Sequence, residues 1–449
     1  MRKCLLWLLA ATLVVAMAMP ALADVNISGS YRLRGVYYEP GAPDTNLSFY
    51  DNRLRFDVVA KVSDNLTMFI QADSGLGYDG HEETNPLANQ DSYDGILSQH
   101  YGADRDTSTH AHDIVFQRAY FKYDSPIGTF QVGRQWAFWG KGMLISMNRN
   151  RVKYVYKQPG YFLGCGLDKW DEGLITDDTD DKDHYFAFGS FSNLVEGLTW
   201  SPWFGFIHGP GSKSEDYDVY YTSQALKYVM DKWAVNIEFD YKWGNTQQDP
   251  KVKVRQYCIG ADASYDLDIA KVGAEFAFFS GESAADKNKK ESSAGGKSKT
   301  FHSSYWYAPF VIFGELPIGP ELIAPDGTAW SGSNTHKLAN CYYFKVYATA
   351  SPIENLEVTG AIGYIQADEA RAVKSGSTWY DTGADNMGWE FDLIGTYKIT
   401  DNLSYSVVGA YFTAGDYFDK YTVNSSGNVE RLQESDDAYV LLHQIQINF

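Results

Sequence analysis

Cations recur in this chain at a spacing that places them on one face of an extended strand: Arg32 and Arg34, Arg53 and Arg55, Arg118 and Lys122, Arg151 and Lys153. Residues two or four apart share a face when the backbone is extended, so each pair presents two positive charges together. Acids recur in the same manner, at Glu238 and Asp240 and at Glu390 and Asp392, with Asp57, Asp73, Asp262 and Glu275 on comparable faces. Clusters of this kind attract, orient and filter ions; they do not break bonds. For covalent chemistry the sequence offers little, with no G-x-S-x-G turn and no Ser/His arrangement that marks a hydrolase. His110 and His112 present two nitrogens on one side of a strand, without a third ligand nearby. The acidic run at 171–183 lacks the glycine and final glutamate of an EF-hand and reads as a solvated loop. No catalytic residue, metal or cofactor is assigned.

The elements that must hold these charges are legible as alternation. Leu54, Phe56, Val58 and Ala60 alternate with Arg53, Arg55, Asp57 and Val59. Trp233, Val235, Ile237, Phe239 and Tyr241 alternate with Ala234, Asn236, Glu238, Asp240 and Lys242, and Trp389, Phe391 and Leu393 with Glu390, Asp392 and Ile394. The last residues, Leu441 to Phe449, keep the pattern to the end. Period-2 patterning marks strands. The stretches VSDNLTMFIQAD (62–73), PIENLEVTGAIG (352–363) and ITDNLSYSVVGA (399–410) each set an acid, Asn and Leu between two such runs. Asn tolerates left-handed backbone and Asp caps nearby N–H groups, so each reads as a tight hairpin turn. Such turns alternate with long polar stretches at 77–112, 168–183, 209–217, 244–252, 281–340, 367–386 and 415–435.

A soluble sandwich alternates too, but with shorter strands and more even connections. Strands of roughly 10–13 residues, with short turns at one end and long loops at the other, describe an all-β transmembrane antiparallel barrel with periplasmic turns and extracellular loops. Both chain ends belong on the short-turn side, so the strand number is even. Residues outside 148–167 supply sixteen strands, and a hairpin about Gln158-Pro159-Gly160 raises this to eighteen, the expected number, with sixteen as the alternative. The Pro- and Gly-rich segment 314–327 is too apolar for a plain loop tip; it fits a fold over or into the mouth, or an ordered external loop.

Arg2 and Lys3, the apolar run Cys4–Met19 and Ala21-Leu22-Ala23 form a secretory signal over residues 1–23, leaving 24–449 as the barrel. No later stretch reaches the roughly 18 apolar residues of a transmembrane helix. These features direct the chain to the outer membrane of a Gram-negative cell. The formal charge of −19 argues against a nucleic-acid partner. Cys165, Cys258 and Cys341 remain after the signal without CxxC spacing, and read as small strand residues.

In such a barrel an Arg or Lys facing lipid at mid-membrane costs roughly 2–4 kcal/mol. Leu54 and Phe56 are therefore expected toward lipid, and Arg32, Arg34, Arg53, Arg55, Arg118, Lys122, Arg151 and Lys153 toward the lumen. Glu238, Asp240, Glu390 and Asp392 are expected to line the lumen on other strands. Arg134 shares parity with Phe130 and Val132, and lines the lumen only if a bulge shifts the register. Bases thus gather in the first third of the wall and most acids elsewhere, which sets a transverse field across a wet constriction. The same side chains could instead pair with one another and stiffen the wall.

The stretches NRLRFDVVAKVSDNLTMFIQAD (52–73) and FQRAYFKYDSPIGTFQVGRQWAFWGKG (116–142), with the terminal Phe449, resemble the alginate-export family of outer-membrane porins. The resemblance implies an eighteen-stranded barrel and an arginine-lined conduit for anionic solutes, with Arg53, Arg55, Arg118 and Arg134 at the matching positions. The last strand also resembles the signal that the barrel-assembly machinery recognises. Together these readings imply passive diffusion of small hydrophilic solutes, anions among them, through a water-filled lumen, without enzymatic activity. Export of an anionic polysaccharide, or a sheath around a partner protein, are the alternatives. The partners expected are outer-membrane lipid and lipopolysaccharide, the assembly machinery, small solutes and further copies of the chain in a homo-oligomer.

Overall fold

A computed structural model describes residues 24–42, 45–76, 114–171, 182–192, 194–211, 215–246, 252–291, 297–304, 307–316, 318–325, 327 and 337–449. The expected signal at 1–23, His110, His112 and most of the acidic run at 171–183 lie outside the described residues. The alternating runs form strands β1 (Asp24–Glu39), β2 (Leu47–Ser63), β3 (Leu66–Leu76), β4 (Ile114–Ser125), β5 (Gly128–Phe138) and β6 (Ser146–Gln158). There follow β7 (Tyr161–Asp171), β8 (Lys182–Ser192), β9 (Leu198–Gly211), β10 (Glu215–Met230), β11 (Trp233–Thr246) and β12 (Val252–Asp266). The last six are β13 (Ala270–Phe279), β14 (Cys341–Ile353), β15 (Leu356–Ala367), β16 (Asn386–Lys398), β17 (Leu403–Ala414) and β18 (Ala438–Asn448). Each pairs antiparallel with the next, and β18 pairs with β1 from Ser30↔Asn448 to Glu39↔Tyr439. The sheet therefore closes on itself. The hairpin expected at 151–167 is β6 with β7, joined by the pair Gln158↔Tyr161, so the barrel has eighteen strands. A helix α1 (Ala284–Glu291) and a two-residue strand (Lys297–Ser298) parallel to β12 lie in the long connection after β13.

Alternation resolves into two faces. On β16, Trp389, Phe391 and Leu393 are 45%, 44% and 60% exposed, whereas Glu390 between them is 0% exposed. On β11, Ile237 and Phe239 are exposed while Glu238 and Asp240 are buried. Apolar side chains that face outward around a closed sheet form the lipid belt, and the charged face encloses the lumen.

The Asn-bearing turns are made by two different devices. Asn355 takes left-handed backbone at φ +66°, as do Asp231 and Asp268 in two other turns. Asn65 instead accepts the Ser63 hydroxyl at 2.8 Å, and Asn402 donates its amide to the Asn448 carbonyl at 2.8 Å. The latter bond ties a turn to the closing strand.

Closure extends to the last residue. Phe449 N donates to Gly29 O at 3.0 Å, and Gly29 N donates to Phe449 O at 2.8 Å. The Phe449 ring meets Phe56 edge-on, with centroids 6.2 Å apart. Deleting Phe449 removes two backbone hydrogen bonds worth about 1 kcal/mol each, together with that ring contact. The expected result is less of the compact, heat-modifiable band on SDS gels at unchanged export. A truncated chain that folds to the full level would show that the seam closes without it.

Candidate functional site

The lumen has two unlike walls. On the first, Arg32 lies directly across from Arg53, and Arg34 across from Asp51. The Arg34 guanidinium grips Asp51 through Nε at 3.0 and 2.9 Å from its two oxygens, and Arg32 reaches the same carboxylate at 3.8 Å. Arg55 holds Asp73 through Nε and Nη2, each at 2.6 Å. Arg118 faces Gln71 just past a register shift, and Lys122 pairs with Asp124 at 2.7 Å. Farther round, Arg151 binds Asp168 at 2.9 Å, and Lys153 lies between Gln131 and Gly166 in the cross-strand register. Asp168 also meets His184 Nδ1 at 2.8 Å, whose Nε2 meets the Tyr221 hydroxyl at 2.7 Å. The strand faces thus gather the expected cations, but with Asp51, Asp73 and Asp168 set among them. Bases are expected to gather here with most acids elsewhere; the antiparallel register of β1, β2 and β3 sets Asp51 beside Arg34 and Asp73 beside Arg55.

For Arg134 the register decides between the two readings the sequence left open. Pairing runs without a shift from Ala119↔Arg134 through Tyr120↔Gly133 to Phe121↔Val132. Arg134 therefore keeps the parity of Val132 and Phe130, while its neighbour Gln135 is the buried residue. No bulge turns it inward.

The opposite wall carries Glu238, Asp240, Asp262, Glu275, Glu390 and Asp392, and two segments of chain fold onto it. The first is the β5–β6 connection, residues 139–145. Its Trp139 donates to Ser201 O at 2.9 Å and packs on Phe162, Phe188 and Trp203 at 5.3–6.1 Å. Its Lys141 N donates to Glu238, and its ammonium pairs with Asp262 and, at 3.1 Å, with Glu275. The second comes from the long β13–β14 connection. Tyr307 donates to Glu275 at 3.0 Å, and the N–H groups of Ile312 and Phe313 donate to the two oxygens of Glu390 at 2.6 and 2.8 Å. Phe313 then stacks on Phe412 of β17 at 6.1 Å, and Gly319 N reaches Pro40 O, beyond β1, at 2.8 Å. The chain thus folds into the mouth and follows the inner wall from β13 toward β1. Strand glycines make room for it: a Cβ at Gly260 would come within 2.4 Å of Met143 Sδ, and one at Gly363 within 2.4 Å of Phe310.

Glu238 and Glu390 therefore face the lumen but anchor inserted chain rather than standing bare. Asp240 accepts the Cys258 thiol at 3.0 Å, and Asp392 is 9% exposed. Residues that the sequence reading passed over are Asp51, Asp168, Lys141 and Lys345. A signal for Lys141 was present in Trp139-Gly140-Lys141-Gly142-Met143, a glycine-rich tip too apolar for open water.

A family model described as Gram-negative porin matches residues 10–436. The chain belongs to that family. This porin is accordingly a multi-pass protein of the outer membrane. A search of curated proteins returns no match. Among solved structures, OccK8 (OprE) of Pseudomonas aeruginosa superposes with a TM-score of 0.53 at 8% identity, covering 95% of this chain and 98% of the other. OccK3 (OpdO) of the same organism gives 0.52 at 11% identity, covering 94% and 96%. OpdK of that organism, solved with vanillate, gives 0.50 at 11% identity, covering 94% and 99%. At such low identity these superpositions show the barrel fold alone. The family found is the general porin family, and the alginate-export resemblance is not among these findings. As a porin, the barrel is a passive channel for small solutes.

Arg34 is 1% exposed, and its guanidinium is paired with Asp51. Breaking a buried pair from one side costs roughly 3–5 kcal/mol, less where one partner touches water, as Asp51 does at 23% side-chain exposure. Asp51→Asn is expected to lower the denaturant midpoint of the folded porin while shifting the reversal potential toward anions. Unfolding followed by tryptophan fluorescence, with bilayer recordings on the same preparation, checks both.

Proposed function

We propose that this porin favours anions among the small solutes it passes, and that they travel between the basic wall and the inserted segments. One observation carries the reading. On β1–β7 the expected lumenal cations are Arg32, Arg34, Arg53, Arg55, Arg118, Lys122, Arg151 and Lys153, against Asp51, Asp57, Asp73, Asp124 and Asp168, which is eight to five. On the opposite wall Asp262 and Glu275 are paired with Lys141, Glu275 also with Lys345, and Glu238 and Glu390 accept backbone N–H groups of the inserted chain. The charge that borders the remaining passage is therefore positive on balance. OpdK, with which the fold is shared, binds vanillate, an aromatic carboxylate, and that compound is a suitable probe here.

The likeness to alginate-export porins rests on the same arginines. The segments folded against the acidic wall favour small solutes over a polymer, and they occupy space that a partner-protein sheath would need. A hydrolytic reading would look to His184, but its ring nitrogens are met by Asp168 and Tyr221 within the wall. Lipopolysaccharide around the exposed belt, the assembly machinery at β18 and further copies of the chain complete the proposed partners.

Planar-bilayer reversal potentials under a salt gradient test the preference. Arg53→Gln should reduce the anion-to-cation permeability ratio roughly twofold, the effect of one screened charge worth about 0.5 kcal/mol. Arg55→Gln should reduce it further, because Asp73 then borders the lumen without its guanidinium. If both variants keep the parental reversal potential and lose only heat stability, the arginines are wall struts and the preference is wrong.

A further inference from the structure

We propose that Glu275 is the positioning residue that joins the two inserted segments into one unit, so that a single wall carboxylate sets the width of the passage. This inference stands independently of the anion preference. Glu275 lies on β13, 8% exposed, and its two oxygens serve three donors. Oε1 meets the Lys141 ammonium at 3.1 Å and the Tyr307 hydroxyl at 3.0 Å, and Oε2 meets the Lys345 ammonium at 2.7 Å. Lys141 belongs to the first segment and Tyr307 to the second. Lys345, on β14, spends another N–H on Pro309 O at 2.7 Å, which again belongs to the second segment.

The two segments also touch each other. Ser304 N donates to Met143 O at 2.7 Å, and the Ser304 hydroxyl donates to Gly142 O at 2.5 Å. Chain separated by some 160 positions thus meets on one carboxylate and across one backbone contact. The neighbouring acids differ. Glu238 grips only the first segment, through Lys141 N, and Glu390 grips only the second, through the N–H groups of Ile312 and Phe313. Asp262 likewise meets the first segment alone, so among the described residues Glu275 is the wall carboxylate that reaches both segments.

Charge decides which anchor couples them. Charge-assisted hydrogen bonds are about twice as strong as neutral ones, and Glu275 is the carboxylate that meets both ammonium groups, while Asp262 meets Lys141 alone. Without that charge Lys141 and Lys345 repel. Lys141 sits at the tip of a short connection on a flexible stem, whereas Lys345 is fixed in a strand. With Glu275 neutral, Lys141 moves toward Asp262, its other carboxylate, drawing 139–145 away from Lys345 and, through Ser304, disturbing the second segment.

The test compares Glu275→Gln, Glu238→Gln and Glu390→Gln in the full porin, by hydrogen exchange of the peptides covering 139–145 and 303–313 and by single-channel conductance. Glu275→Gln should speed exchange roughly tenfold or more in both peptides and raise the conductance step. Glu238→Gln should act on the first peptide alone, and Glu390→Gln on the second alone. Loosening of only one peptide in Glu275→Gln, or of neither, overturns the proposal. Should Glu275→Gln fail to give the heat-modifiable folded band, Lys141→Met provides the same decision from outside the wall. It must speed exchange in 303–313, remote in sequence from the substitution; an effect confined to 139–145 rejects the coupling.

Discussion

An unpaired N–H or C=O in hydrocarbon costs several kcal/mol, so a sheet that crosses a bilayer has to leave no edge. The seam between β1 and β18 meets that demand here, with continuous pairing from Ser30↔Asn448 to Glu39↔Tyr439. Much else follows from it. A closed sheet gives every strand one face toward lipid and one toward the lumen, and antiparallel pairing puts alternate connections at opposite ends. Short turns such as that at Asn355 suit one end, while the other is free to carry connections as long as the one between β13 and β14. The lumen, once formed, offers that connection a polar wall to fold against.

That wall is where the energetics of the interior are decided. A carboxylate facing water loses little by staying bare, yet Glu390 and Glu275 each accept several hydrogen bonds from inserted chain. Such bonds compete with water and gain from the partial exclusion of solvent that the insertion itself creates. Apolar contacts add to them: Phe310 and Phe313 are buried against Tyr343 and Phe412. The lumen is thus lined in part by side chains of the strands and in part by chain that has no strand of its own. On the other side, Arg34 with Asp51 and Arg55 with Asp73 give a wall that is both stiffened and charged. The ion pairs weighed from sequence are present, in the residues on which the proposed anion preference rests.

Alternation made the barrel legible, because lipid tolerates charge so poorly that Trp389, Glu390, Phe391 and Asp392 have one arrangement open to them. The same rule ordered the lumenal cations. It failed to show their partners, since Asp51 lies outside the clean alternating run and its meeting with Arg34 depends on the register between β1 and β2. Arg134 shows the converse: its parity was read directly from the strand, and continuous pairing left it there. The inserted segments were legible only as oddities of composition, an apolar Pro/Gly run and a Gly-Lys-Gly tip. Where such chain docks is set by contacts between residues far apart in sequence, and no local period encodes them.

Glycine inside a strand weakens it and offers nothing to pack, so Gly260 and Gly363 look like losses when each strand is considered alone. Met143 and Phe310 occupy the space those two residues leave. The barrel's bore is therefore written partly as vacancies: two absent methyl groups act as sockets, and the plug parts that fit them are supplied from elsewhere in the chain. A porin built this way can change its calibre by gaining or losing a single carbon on the inner wall, with the lipid face and the seam left as they are.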